Sequence, residues 1–227
     1  MCQIPGTGKT ALAVHWAHTI SDRFPDGQLY VQLRGSSPSP RTPMSPAEVI
    51  REVIGTLGVP PERIPAGEEA QAGLYRSLLA ARRMLILLDD ARDSVQARPL
   101  LPGSPGCLVI ITSRRQLAGL AAVECAHLLT LDVLGEAAAG QMLASRLGAH
   151  RVSAEPAAVA DLIELCARLP VSLAIVAARA AALPGIPLAA LAADLRAAYP
   201  GLGTGDPATA AGTMSARPPR REVGVPT

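Results

Sequence analysis

Six consecutive residues near the amino end, Pro5-Gly6-Thr7-Gly8-Lys9-Thr10, are of the types that hold a phosphate. Glycines let backbone N–H groups close around anionic oxygens with no Cβ in the way. The run Ala11-Leu12-Ala13-Val14-His15-Trp16 that follows reads as a helix, whose positive dipole end would face the same anion. In such a loop Gly6, Thr7, Gly8 and Ala11 line the phosphates, Lys9 reaches their outer oxygens, and the Thr10 hydroxyl ligates Mg²⁺. Lys9 is also the sole lysine among 21 basic Lys and Arg residues. A compact ammonium has been kept where a point charge suits a phosphate.

Two further stretches could complete that chemistry. Met84-Leu85-Ile86-Leu87-Leu88 is a continuous apolar run that reads as a buried strand, and it delivers Asp89-Asp90 at its carboxyl end. Ligands of open α/β sheets bind at that end of the strands. Asp89 there would organise the metal shell, and Asp90 would orient or deprotonate an attacking water. A second buried strand, Cys107-Leu108-Val109-Ile110-Ile111, ends in Thr112-Ser113-Arg114. This polar trio would face the γ-phosphate edge, with Arg114 telling ATP from ADP by a charge-assisted contact.

The elements that must position these residues follow from periodicity and punctuation. A helix over about Thr10–Ser21 sets Leu12, Trp16 and Ile20 on one face. A strand over Gln28–Leu33 alternates polar and apolar residues after the turn Phe24-Pro25-Asp26-Gly27. Gly35 to Ser45 is a Ser/Pro loop, and helices are expected from Pro46 to Leu57 and near Glu68–Ala81. A short helix over Asp93–Arg98 and a further strand over His127–Val133 complete the alternation, which argues an α/β fold with a parallel, doubly covered sheet. From Glu136 the pattern is helical only, with segments at Glu136–Leu147, Pro156–Arg168, Val171–Ala182 and Pro187–Ala198. We therefore expect a nucleotide-binding domain over 1–134, a helical subdomain over 135–199, and a disordered tail over 200–227.

Composition removes several other functions. Aromatics are 2% of the chain, too few for the stacking platforms of single-stranded nucleic-acid binders. A net charge of +2 gives no electrostatic case for nucleic acid or for a membrane surface. Four cysteines without a C-x-x-C pair argue against zinc or a disulfide framework. The absence of a long uninterrupted apolar run and of a leader pattern points to the cytoplasm.

Taken as an ordered set, Gly-Thr-Gly-Lys-Thr, Leu-Leu-Asp-Asp-Ala, Ile-Thr-Ser-Arg-Arg and Leu-Pro-Val-Ser-Leu-Ala resemble the NB-ARC family of STAND-class P-loop ATPases. The wording between motifs, as in Phe24-Pro25-Asp26-Gly27-Gln28-Leu29-Tyr30-Val31 and Arg98-Pro99-Leu100-Leu101-Pro102-Gly103, is similar to the ATPase module of actinobacterial antibiotic-regulatory (SARP-type) transcription activators. The similarity runs over roughly residues 3 to 199. It implies a switch that holds ADP at rest and ATP when signalled, with slow Mg²⁺-dependent hydrolysis resetting it. By position it implies phosphate contacts for Gly6, Gly8 and Lys9, Mg²⁺ contacts for Thr10 and Asp89, γ-phosphate sensing by Arg114 and an adenine-side contact for Pro170. The expected partners are other regulator domains or proteins, with self-association in the ATP state. Gln3 stands where the loop pattern has its first glycine, only Met1 and Cys2 stand where a leading strand is expected, and Arg168 stands where the family has glycine. These departures lead us to expect a shortened version of a larger regulator. They also favour, as the competing function, a degenerate interaction fragment that binds no nucleotide. A small-molecule P-loop kinase is the third candidate, disfavoured by the double aspartate and the helical C-terminal part.

Overall fold

The computed structural model describes residues 5–36 and 43–198; Gln3 and the proposed tail lie outside them. Contacts divide the chain into two compact units, one of Lys9–Thr130, the other of residues 5–8 with 131–198.

In the first unit, three parallel strands form one sheet in the order β1 (Gln28–Gln32), β2 (Leu85–Ala91), β3 (Leu108–Ser113). The register sets Tyr30 beside Leu87 and Gln32 beside Asp89, then Leu87 beside Ile110. β2 is the central strand, and Leu85, Ile86, Leu87 and Leu88 are all buried. That is the burial expected where a parallel strand is covered on both faces. Helix α1 (Lys9–Ile20) packs over β2 and β3. Ile86 and Leu88 join a core with Val49, Ile50, Val53 and Ile54 of α2 (Pro46–Thr56). Tyr75 and Leu79 of α3 (Glu68–Leu79) close that core. At the head of α2 the Ser45 hydroxyl accepts from the Glu48 N–H while the Glu48 carboxylate accepts from the Ser45 N–H, a reciprocal capping box.

Two expectations fail here. His127–Val133 is not a strand: the described sheet consists of β1, β2 and β3, and residues 127–133 take no regular structure. The burying face of α1 is also the other one. Ala13 and Ala17 are buried, whereas Leu12 and Trp16 are 44% and 46% exposed. Small side chains let the helix backbone approach the sheet closely, and the larger residues at four-residue spacing are left outward. Two short helices were not anticipated, α5 (Ala118–Glu124) beyond α4 (Ser94–Ala97) and α7 (Ala149–Ala154) in the second unit.

The second unit is helical, with α6 (Glu136–Leu147), α8 (Pro156–Leu165), α9 (Pro170–Ala182) and α10 (Leu188–Ala198) around Leu143, Leu162, Leu169, Leu173 and Leu188. α6 packs on α9, and α10 on α8. Carbonyls at the end of α9 and in the turn after it are collected by one side chain, Arg151, which donates to Ala180 O at 2.7 Å, Leu183 O at 3.2 Å and Ile186 O at 2.8 Å. The first turn of α10 is capped by the residue before α8: Leu188 and Ala189 N–H donate to the two Glu155 carboxylate oxygens at 2.9 and 3.0 Å.

Those two N–H donors hold the Glu155 carboxyl below its ordinary value of 4.5. A carboxylate depressed on folding stabilises the fold above its unfolded value, and the contribution is lost as pH falls through the lower folded one. In thermal melts the wild type should therefore exceed Glu155→Gln at neutral pH, with the difference shrinking progressively below about pH 4.5.

Candidate functional site

The first unit gathers its polar side chains at the carboxyl end of β2. Asp89 is 4% exposed and lies within the strand rather than after it. Its Oδ1 accepts from the Thr10 hydroxyl at 2.8 Å and from the Thr112 hydroxyl at 2.6 Å, and its Oδ2 accepts from the Tyr30 phenol at 3.1 Å. The donors come from α1, β3 and β1. An ionised carboxylate needs such compensation, because burying it bare costs on the order of several kcal/mol.

Asp90 is held differently. Its backbone is left-handed, φ +57°, at the register shift between Leu88 and Ala91, so its side chain leaves the strand pattern. Its carboxylate accepts from the Ser36 N–H at 3.0 Å and from the Ser36 hydroxyl, and the Arg114 Nε stands 4.0 Å away. Gly35 lies beside it, where an added Cβ would come 2.2 Å from Arg92 N. Only glycine fits that approach.

Thr112 and Ser113 do not face outward as a phosphate-sensing pair. The Thr112 hydroxyl donates to Asp89 and accepts from the Asp90 N–H at 2.9 Å, and the Ser113 hydroxyl donates to Ala91 O at 2.8 Å. Both lock β3 to β2 across the register shift. Of the trio, Arg114 alone keeps a half-exposed side chain. Lys9, at the first residue of α1, feels it: burial pushes the ammonium below its usual range, Arg114 adds to that, and Asp90 opposes it. Two cations are thus brought close in one unit, an arrangement that an anion between them would relieve.

Within the second unit, Gly6 and Gly8 have φ of +86° and +84°, the left-handed backbone that explains their residue type. The Val171 N–H donates to Gly6 O at 3.3 Å, and a Cβ added to Gly8 would stand 3.9 Å from the Pro170 ring. Space is adequate at Gly8, so conformation is what calls for glycine. Thr7 between them is buried. Pro170 is the first residue of α9, where its missing N–H and fixed φ suit helix entry. α8 stops at Leu165, earlier than expected, because Ala167 and Arg168 are left-handed at φ +48° and +57°. Arg168 thus occupies a backbone conformation that favours glycine. Ala11, in the first turn of α1, is exposed.

Sequence reasoning missed Tyr30, Ser36 and Gln96. The Gln96 amide donates to Leu33 O at 3.1 Å and to Met44 O at 2.8 Å while its oxygen accepts from the Arg92 N–H. Tyr30 and Ser36 carry no local signal, since their partners lie far along the chain, and Gln96 combines two distant carbonyls with the nearby Arg92 N–H. No cluster of three or more His, Cys, Asp or Glu side chains that could hold a metal occurs among the described residues.

The first unit is thus an α/β module: a three-stranded parallel sheet with flanking helices, a lysine at a helix start and a carboxylate on the adjacent central strand, the arrangement of a P-loop-type fold. No protein-family model matches the chain. It is similar to the regulatory protein AfsR of Streptomyces griseus, 44% identical over 192 residues, and to the regulatory protein AfsR of Streptomyces coelicolor, 43% identical over 192 residues. Each match covers 85% of this chain and 19% of the relative, so the chain spans about a fifth of the length of the curated relatives it matches. The identity relates the chain to a regulatory protein. No helix among the described residues is long and apolar enough to cross a membrane.

Thr112→Val removes one donor to Asp89 and the acceptor of the Asp90 N–H. It should cost about 1–3 kcal/mol in urea unfolding, with Thr112→Ser closer to wild type. Arg168→Gly should relieve the left-handed strain and raise stability by about 1 kcal/mol, read as a higher midpoint.

Proposed function

We propose that this chain is the nucleotide-binding switch module of a transcription regulator, an NB-ARC-like ATPase of the STAND class that takes ADP at rest and ATP when signalled. The observation that carries this reading is the 2.8 Å bond from the Thr10 hydroxyl to Asp89 Oδ1. It joins the residue after the loop lysine to the carboxylate of the central strand, the two groups that a phosphate-bound Mg²⁺ requires together. Similarity to AfsR, named as a regulatory protein, supports the regulatory half of the proposal.

The donor set suits Mg²⁺, which takes one or two carboxylates and fills its remaining positions with phosphate oxygens and waters. Asp89 and the Thr10 hydroxyl would hold it, and bound metal would neutralise charge on the phosphates. Lys9 supplies a point charge to the outer phosphates, and Arg114 supplies the guanidinium that distinguishes a third phosphate. By sequence position Gly6, Thr7, Gly8 and Ala11 offer backbone contacts, and Pro170 an apolar surface for the base. Asp90 is the residue for orienting water, but Ser36 and Arg114 hold its carboxylate at rest. Arg114 moving to a γ-phosphate would free one side of Asp90, which couples sensing to slow hydrolysis. The module would pass its state to other regulator domains or partners, including further copies in the ATP state.

A fluorescent ADP analogue titrated into folded protein tests the reading. Saturable binding is expected, weakened at least about tenfold by Lys9→Ala, the loss of one charge-assisted phosphate contact. No binding at near-millimolar nucleotide would overturn it. The Lys9 ammonium titrates below 10.5 and a bound phosphate needs it charged. Affinity should therefore fall as pH rises through that lowered value, and Lys9→Ala should lose this dependence.

A further inference from the structure

Tyr30 stands in the middle of β1, and the alternation of that strand turns it outward with Gln28 and Gln32. Its side chain is 54% exposed, yet its hydroxyl reaches 3.1 Å to Oδ2 of a carboxylate that is 4% exposed. The ring therefore lies along the sheet surface with its polar end directed into the buried cluster. Asp89 Oδ1 already takes two hydroxyls, from Thr10 and Thr112, and the Tyr30 phenol is the donor seen at Oδ2. With both oxygens engaged from three elements, the carboxylate cannot turn about its terminal bond without giving up a partner. A phenol is protonated at neutral pH, so toward the carboxylate the Tyr30 hydroxyl is the donor.

We propose that Tyr30 is a positioning residue for Asp89, holding Oδ2 so that Oδ1 faces Thr10, and that it thereby sets how strongly a divalent cation promotes nucleotide binding. The inference rests on the reading of Asp89 and Thr10 as the metal-side pair. It concerns a partner of a metal ligand, the class of contact that fixes ligand orientation and typically changes metal affinity without touching the ligand itself. Phe at position 30 would keep the ring on the sheet and remove the donor alone. Asp89 would then keep Thr10 and Thr112 on one oxygen while the other is free to rotate away or take water.

The test compares wild type, Tyr30→Phe and Lys9→Ala by ADP titration with and without Mg²⁺. Tyr30→Phe should bind ADP alone within about twofold of wild type but lose about tenfold of the gain that Mg²⁺ gives. Lys9→Ala should weaken both. Wild type that binds ADP, with an unchanged Mg²⁺ gain in Tyr30→Phe, overturns the role of Tyr30 and leaves the site reading intact. Wild type that binds no ADP overturns both. A readout independent of the variant's folding is the carbon-13 spectrum of tyrosine rings in the wild type. Mg²⁺ added with ADP should move the hydroxyl-bearing carbon of one tyrosine as the Asp89 charge is shared, leaving buried Tyr75, which donates to Leu100 O, in place. A spectrum with no such movement, in protein that binds Mg²⁺-ADP, overturns the proposal.

Discussion

One buried carboxylate organises the first unit. Asp89 sits on the central strand, out of water, where an ionised group is tolerated only if every oxygen finds donors. Three hydroxyls supply them, from the first turn of α1 and from both flanking strands. Parallel strands all end toward the same edge, so a helix starting at that edge and two neighbouring strands can converge on one point. The apolar stretch Leu85–Leu88 makes this possible by burying β2 under helices on both faces, which carries the aspartate inward with it. The same bonds that satisfy the charge tie together α1 and the three strands.

In each unit the backbone departs from regular geometry at particular residues. Asp90 turns left-handed at a register shift, so two adjacent aspartates on one strand serve different partners: Asp89 the hydroxyl cluster, Asp90 the Ser36 turn and Arg114. Gly6 and Gly8 take the same conformation at no steric cost, while Arg168 adopts it against the preference of a side chain.

Charge follows the same logic. Lys9 and Arg114 repel each other within a unit where Asp90 compensates both. In the switch proposed above, an incoming anion would take the cations and the Asp90 carboxylate would lose its partner.

Composition, periodicity and spacing by themselves determined the α/β class, three of the four strands expected, the change to helices beyond residue 135, and the roster of candidate site residues from Gly6 to Arg114. These are local properties: apolar runs, Pro and Gly punctuation, and residue types that suit a phosphate each act over a few positions. Tertiary structure decided the rest. It turned the alanines of α1 inward and left Leu12 and Trp16 outside, because the helix needed close approach to the sheet. It left His127–Val133 without regular structure. It spent the hydroxyls of Thr112 and Ser113 on β2 and brought Tyr30, Ser36 and Gln96 into the polar network. These hydroxyl and amide contacts join residues about twenty to sixty positions apart, and the packing of whole elements brings them together.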